Sequence, residues 1–273
     1  MAQRFPAWIK KRLIYSETAC NLERLIDALA LNTVCKSACC PNKSECFSQK
    51  KATFMILGKI CTRSCGFCAV KKGRPLQPDK SEAERVTNAV KALGLNHAVI
   101  TSVTRDDLED GGARQFYDVA FKIKGETQAR LEILTPDFRG KKEALDTVLD
   151  AHVDIFCHNL ETVPRLYSRV RPEADYKRSL EVLKRAKKRI DTTKSGIMVG
   201  LGEREDEVFN VMRDLREIDC KSLTIGQYLR PTKRQLGVYE YVHPDLFNKY
   251  RMLALSLGFK HILSEPFART SYM

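Results

Sequence analysis

The sequence predicts an α/β protein built around a parallel sheet, and three observations predict it. From Ala52 onward, short apolar runs alternate with amphipathic helical patterns, the alternation of successive βα units. Each apolar run exits into polar or glycine-rich residues, as strands do when their carboxyl ends carry a site. A length of 273 residues with 43% apolar character is enough for a packed core, which excludes disorder as the main state. Six repeats are fewer than the eight of a closed barrel, so an open partial barrel and a doubly wound sheet both satisfy the count.

Ahead of the repeats, Leu22, Leu25, Ile26 and Leu29 fall at helical spacing, predicting a short helix over 21–30 behind Ser16 or Asn21 as cap. Strands are predicted over 53–57, 97–102, 130–134, 153–157, 195–200 and 222–227. Between them, Tyr176, Leu180, Leu183 and Ile190 share one helical face, as do Val208, Met212, Leu215 and Ile218. The strand exits read 58–68, then Thr104-Arg105-Asp106-Asp107 with Gly111-Gly112, Thr135-Pro136-Asp137, His158-Asn159-Leu160-Glu161, Leu201-Gly202-Glu203 and Tyr228-Leu229-Arg230-Pro231. Such residues also cap helices and shape turns; six such exits beside a cysteine cluster favour an active site.

Charged residues make up 30% of the chain and no apolar run approaches a membrane span. The amino terminus lacks a signal-peptide pattern, and the expected setting is the cytoplasm. A net charge of +13 favours acidic partners without naming one. The basic residues are spread along the chain, so no nucleic-acid arm is indicated.

Cysteine placement says more. Seven of the ten cysteines lie between Cys35 and Cys68, while Cys20, Cys157 and Cys220 are scattered. A disulfide framework belongs to small secreted chains, so thiolate ligation of a metal in a reducing compartment is the better account. Cys61-Thr62-Arg63-Ser64-Cys65-Gly66-Phe67-Cys68 puts three soft ligands on the loop leaving the first strand, which suits a four-iron cluster with one iron left open. The alternative is zinc, because Cys65-Gly66-Phe67-Cys68 is also a knuckle spacing, with a fourth ligand borrowed from Cys35, Cys40 or Cys46. Cys20 and Cys220 read as buried small hydrophobes.

The Cys-x3-Cys-x2-Cys loop after a first strand, with aromatic Phe67 before its last cysteine, resembles the radical S-adenosylmethionine superfamily. A second triplet, Cys35-x4-Cys40-x5-Cys46, narrows the resemblance to the lipoyl synthase family within it. Supporting matches include Arg105-Asp106-Asp107-Leu108, His158-Asn159-Leu160-Glu161-Thr162-Val163-Pro164, Gly200-Leu201-Gly202-Glu203 and Arg269-Thr270-Ser271-Tyr272. The departures are Cys39 beside Cys40, Lys36 and Ser37 where acidic residues are usual, Cys157 where asparagine is common, and Glu265 in place of a glycine before Pro266.

This resemblance implies a partial (β/α)6 TIM-like barrel over 51–232, an N-terminal extension over 1–50 carrying auxiliary cluster ligands, and a C-terminal extension over 233–273. It implies two 4Fe–4S clusters. One, on Cys61, Cys65 and Cys68, binds S-adenosylmethionine at its open iron and cleaves it to a 5′-deoxyadenosyl radical. The other, on Cys35, Cys40, Cys46 and the Ser271 hydroxyl, donates sulfur; a serine oxygen is a poor match to iron in a sulfide cluster and dissociates when the cluster is dismantled.

The implied enzyme is a sulfurtransferase of lipoate biosynthesis and protein lipoylation, inserting two sulfur atoms at C6 and C8 of a protein-bound octanoyl-lysine. Its implied partners are lipoyl carrier domains (E2 subunits, the glycine cleavage H protein), a ferredoxin or flavodoxin reductant and an iron–sulfur carrier, with no nucleic acid or membrane, and the chain a monomer. Asn159, Glu161 and Glu203 are the candidate polar contacts to S-adenosylmethionine, beside Phe67 in the cluster loop. Locally, Asn159 equally fits a helix cap, and Glu203 a carboxylate at a helix amino terminus. Arg171 and Arg269 are candidates to meet carboxylates, and His158 is the histidine nearest the site. Two other readings carry distinct signatures: a transfer-RNA methylthiolation enzyme needs an added nucleic-acid domain, for which 233–273 is too short, and a zinc-stabilised nucleic-acid binder is colourless and salt-sensitive.

Overall fold

The computed structural model describes residues 5–271; Tyr272 of the carboxyl-terminal motif lies outside the described residues. An N-terminal layer comes first, formed by α1 (Glu17–Ala28), α2 (Val34–Ser37) and α3 (Lys43–Ser48). Of the two predicted caps it is Ser16 that serves, its hydroxyl accepting the Ala19 N–H at 3.1 Å, so α1 begins at Glu17. Leu22 and Ile26 bury its apolar stripe. Cys20 stands on the opposite side of the turn and is exposed, which corrects its reading as a buried hydrophobe; Cys220 is buried as expected.

The chain continues through β1 (Thr53–Ile56), β2 (Ile60–Cys61), β3 (Lys71–Lys72), α4 (Glu82–Leu93), β4 (His97–Ser102), α5 (Ala113–Glu126), β5 (Arg130–Leu134) and α6 (Lys142–Leu149). It then forms β6 (Ile155–Cys157), α7 (Tyr167–Val170), α8 (Tyr176–Lys187), β7 (Thr192–Val199), α9 (Glu205–Glu217), β8 (Ser222–Gln227), α10 (Pro244–Ser256) and β9 (His261–Ser264). Among the described residues the main sheet has seven strands in the order β1-β4-β5-β6-β7-β8-β9, with every neighbouring pair parallel. A doubly wound sheet reverses its strand order at a switch point; this order runs in one direction, as in a partial barrel that does not close. All six predicted strands are present. The seventh, β9, has no apolar run to announce it, because an edge strand is only half covered and three of its four residues are not buried.

β1 and β8 are buried along their whole length, as parallel strands covered on both faces must be. On the outer face, Val182, Leu183 and Ala186 of α8 and Val208, Val211, Met212 and Leu215 of α9 seal the sheet.

The extensions complete what the open barrel leaves unfinished. The N-terminal layer covers the β1 edge, where Thr33 bridges Phe54 and the Met55 N–H donates to the Asn32 carbonyl at 2.8 Å. From the far edge, the chain after β9 turns back across the strand ends, and the Gln227 N–H donates to the Pro266 carbonyl at 3.1 Å. The two extensions meet where Asn42 Nδ2 donates to the Phe267 carbonyl at 2.8 Å. Two glycines permit this crossing. A Cβ on Gly226 of β8 would lie 2.2 Å from the Ala268 carbonyl oxygen, and one on Gly196 of β7 would lie 2.4 Å from Thr270 Oγ1.

Gly226→Ala is therefore expected to lift residues 268–271 off the sheet, whereas Gly237→Ala, whose added Cβ meets nothing within 4 Å, is not. Hydrogen exchange of the carboxyl-terminal peptide checks this: at least about tenfold faster in the first variant, and at the wild-type rate in the second.

Candidate active site

A cavity of about 370 Å³ opens at the carboxyl ends of the strands. Cys35, Cys40, Cys46, Cys61, Cys65, Cys68 and Ser271 all line it, as do Phe67, Asn159 and Glu161. Five of the six predicted strand exits contribute to its wall; the exit of β7, Leu201-Gly202-Glu203, does not.

Three thiols enter on the loop that follows β1. Its two ends are pinned by the short parallel ladder of β2 and β3, and the Gly73 N–H donates to the Cys61 carbonyl at 3.1 Å. The exit of β4 and the end of α7 hold its middle. Thr62 N–H donates to the Thr104 carbonyl at 3.1 Å, and Gly66 N–H to the Val170 carbonyl at 2.8 Å. The C-terminal extension closes over the same loop, with the Leu236 N–H on the Gly66 carbonyl at 2.9 Å and Gln235 Nε2 on the Cys68 carbonyl at 3.2 Å.

Arg63, between the first two thiols, is the loop's principal anchor. Its guanidinium grips Asp106 through two bonds of 2.7 and 3.0 Å and reaches Asp137 at 2.6 Å. Asp137 also takes Arg178 at 2.7 Å. The ion pair is out of solvent, with Arg63 3% and Asp137 0% exposed. Sequence reading passed over Arg63 as a spacer, because nothing local tells a clamped arginine from a surface one.

The second triplet is carried by the N-terminal layer. Thr33 caps α2, which holds Cys35; the Cys40 N–H returns to the Cys35 carbonyl at 3.1 Å, and the Cys46 N–H to the Asn42 carbonyl at 2.9 Å. Cys39 turns through the left-handed region at φ 52° and is exposed, while Cys35 and Cys46 are buried. Burial, reinforced by neighbouring thiols, pushes Cys35 up to about 11 and Cys46 to about 12. In the first triplet the same causes push Cys65 up to about 12; for Cys68, at about 11, burial is again foremost. Such thiols become thiolates when a cation takes the proton's place.

The donor set fits iron–sulfur clusters. All ten cysteines are free thiols, and each triplet is close enough for its members to raise one another. Arg171 acts on Cys65, and Arg269 lies within electrostatic reach of Cys40, so positive charge stands beside what would be anionic clusters. Among the described residues no three His, Cys, Asp or Glu side chains converge tightly enough for a single metal ion. A cubane spreads its thiolates over different irons and needs no such point of convergence.

The polar wall comes from the exit of β6. Asn159 does not cap a helix; its amide donates to Glu161 at 3.2 Å and accepts from Thr270 Oγ1 at 3.0 Å. Glu161 faces the cavity yet is enclosed by protein, and that enclosure raises its carboxyl, opposed by Arg171 and Asn159. Arg171 itself donates to the carbonyls of Asn159 at 2.7 Å and Leu160 at 3.1 Å, so its hydrogen bonds go to backbone. His158 donates Nδ1–H to the Thr135 carbonyl at 2.9 Å; burial, then Arg171, pushes it down to about 4, so it is neutral at pH 7. Glu203 stands apart. Its carboxylate accepts the backbone N–H groups of Gly200 and Leu201, which turns it toward its own loop and away from the cavity.

The family model of the Radical SAM superfamily matches residues 55–215. A lipoyl synthase of Caldanaerobacter subterraneus subsp. tengcongensis is 54% identical over 274 residues, covering 100% of this chain and 96% of that protein. A lipoyl synthase of Caldicellulosiruptor saccharolyticus is 50% identical over 276 residues, covering 100% and 97%. The crystal structure of methylornithine synthase superposes with a TM-score of 0.55 at 13% identity, covering 92% of this chain and 79% of that one, a likeness of fold.

Burial pushes the Asp137 carboxyl up, but Arg63 and Arg178 hold it well below the usual carboxylate range. A carboxylate depressed in the folded state stabilises above its unfolded pKa of about 3.9 and loses that contribution as pH falls through the folded value. Wild type is expected to exceed Asp137→Asn by about 2–4 kcal/mol near pH 7, with the margin narrowing below about pH 4, in urea melts across pH.

The matched superfamily spans more than half the chain and the identities run its full length: this chain belongs to the lipoyl synthase family of the radical S-adenosylmethionine superfamily.

Proposed function

We propose that one cavity serves both clusters of a lipoyl-forming sulfurtransferase. Cys61, Cys65 and Cys68 hold the 4Fe–4S cluster that binds S-adenosylmethionine, and Cys35, Cys40, Cys46 and Ser271 hold the second. What supports this reading is that both triplets and Ser271 line the same cavity. The bound groups supply a hydrogen-abstracting radical at one cluster and sulfur at the other, for insertion at C6 and C8 of an octanoyl-lysine on a lipoyl domain.

The chain's own residues bind, orient and exclude water. Arg63, clamped by Asp106 and Asp137, keeps the three-thiol loop in one conformation. Asn159 and Glu161 receive the polar groups of S-adenosylmethionine, a carboxylate suiting hydroxyl or ammonium donors. Phe67 walls the loop side, and Glu203 serves indirectly by holding the Gly200–Leu201 backbone. Met55, Val103, Leu134, Ile197 and Met198 give the cavity an apolar lining suited to an octanoyl chain.

The 1–50 extension acts as the auxiliary-cluster module, 51–232 as the radical barrel and 233–273 as the segment that closes it. The carriers are E2 subunits and the H protein; their acidic surfaces would be steered by the +13 charge. A ferredoxin or flavodoxin supplies electrons, an iron–sulfur carrier rebuilds the second cluster, and the chain works as a monomer in the cytoplasm. No helix among the described residues is long and apolar enough to cross a membrane.

The test gives anaerobically reconstituted protein an octanoyl-lysine peptide, reductant and S-adenosylmethionine, and follows products by mass spectrometry. Wild type is expected to yield 5′-deoxyadenosine and dithiolated peptide, Cys40→Ala deoxyadenosine without thiolation, and Cys65→Ala neither. Thiolation by Cys40→Ala at the wild-type level would contradict the assignment of the second triplet.

A further inference from the structure

The C-terminal tail finishes its path against a side chain. Thr270 Oγ1 donates to Asn159 Oδ1 at 3.0 Å, and Asn159 Nδ2 donates onward to Glu161 Oε1 at 3.2 Å. This chain of donors fixes which way the amide faces, since a flipped amide would set its oxygen against the Glu161 carboxylate. There is no slack at the junction. A Cβ on Gly196 would lie 2.4 Å from Thr270 Oγ1 and 2.9 Å from Asn159 Oδ1.

The backbone around the pair is already settled. Glu161 sits in the left-handed region at φ 66°, its N–H donating to the Gly196 carbonyl at 2.9 Å and its carbonyl accepting from Met198 N–H at 2.9 Å. What remains to be set is the direction of two side chains, and the tail sets the first of them. Sulfur chemistry does not explain this contact, because the residue proposed to ligate the second cluster is Ser271, one position further on.

Resting on the reading of Asn159 and Glu161 as contacts to S-adenosylmethionine, we propose that Thr270 is a positioning residue for that cofactor. Its hydroxyl holds the Asn159 amide, and through it the Glu161 carboxylate, in the orientation that receives the ligand. Thr270 and Ser271 are consecutive, so one stretch of chain serves the second cluster and orients the cofactor of the first. Coupling of this kind is reciprocal: cofactor binding strengthens tail docking by the factor that docking strengthens binding.

The experiment measures S-adenosylmethionine binding by anaerobic equilibrium dialysis on reconstituted full-length protein at matched iron content. Thr270→Val, which keeps the shape and removes the donor, is expected to weaken binding on the order of tenfold by leaving the Asn159 oxygen only the weak Cys157 thiol donor at 3.6 Å. Thr270→Ser should restore affinity to within about twofold. Asn159→Ala should bind at least as weakly as Thr270→Val. Wild-type affinity in Thr270→Val alongside a weakened Asn159→Ala overturns the link and leaves the cofactor reading standing. Wild-type affinity in Asn159→Ala overturns that reading, and the link with it.

Discussion

The close passage of the C-terminal tail over the strand ends is the constraint on which the rest of the site depends. An open barrel leaves one side of its cavity unwalled, and β1 and β9 end it without meeting. The wall is supplied by two segments outside the βα repeats, joined at Asn42 and Phe267. The tail runs so close over the sheet that a side chain has no room beneath it, hence Gly226 beneath the Ala268 carbonyl and Gly196 beneath the Thr270 side chain. With the tail in this track, Ser271 faces the cavity that seven cysteines line.

Electrostatics explains why so many thiols gather in so enclosed a space. Burial pushes the Cys35, Cys46, Cys65 and Cys68 thiols above their ordinary value, which keeps them uncharged well past neutral pH. Metal exchanges for those protons, and Arg171 and Arg269 stand ready to offset the anionic product. The Arg63 clamp works differently. It is made of charges that remain paired throughout, so it holds the loop's shape whether or not the thiols are ligated.

Much of this was legible in the sequence, and the omissions share a cause. β4, β5 and β8 match the predicted boundaries because each is an apolar run bounded by breakers. β7 begins three residues before its prediction, at Thr192, since buried Thr193 and Lys194 do not look like a strand; Lys194 is accommodated by Glu132 at 3.1 Å across the sheet. β6 begins two residues late, at Ile155, because the Asp154 carboxylate takes the Leu131 N–H at 2.7 Å ahead of the ladder. The cysteines proposed as cluster ligands announce themselves by spacing. Ser271 does not, and only resemblance pointed to it. Contacts such as Arg63 with Asp137 and Thr270 with Asn159 join residues 74 and 111 positions apart, and no local pattern encodes them.

The central claim is that two four-iron clusters share one chamber, one of them ligated by a serine from the tail. Anomalous diffraction at the iron edge from anaerobically reconstituted crystals measures this most directly. The account predicts two iron clusters facing each other across the cavity, the first on Cys61, Cys65 and Cys68, the second on Cys35, Cys40, Cys46 and the Ser271 oxygen. A single cluster, a mononuclear ion among the thiols, or a fully loaded protein with Ser271 directed away from the second site would contradict it.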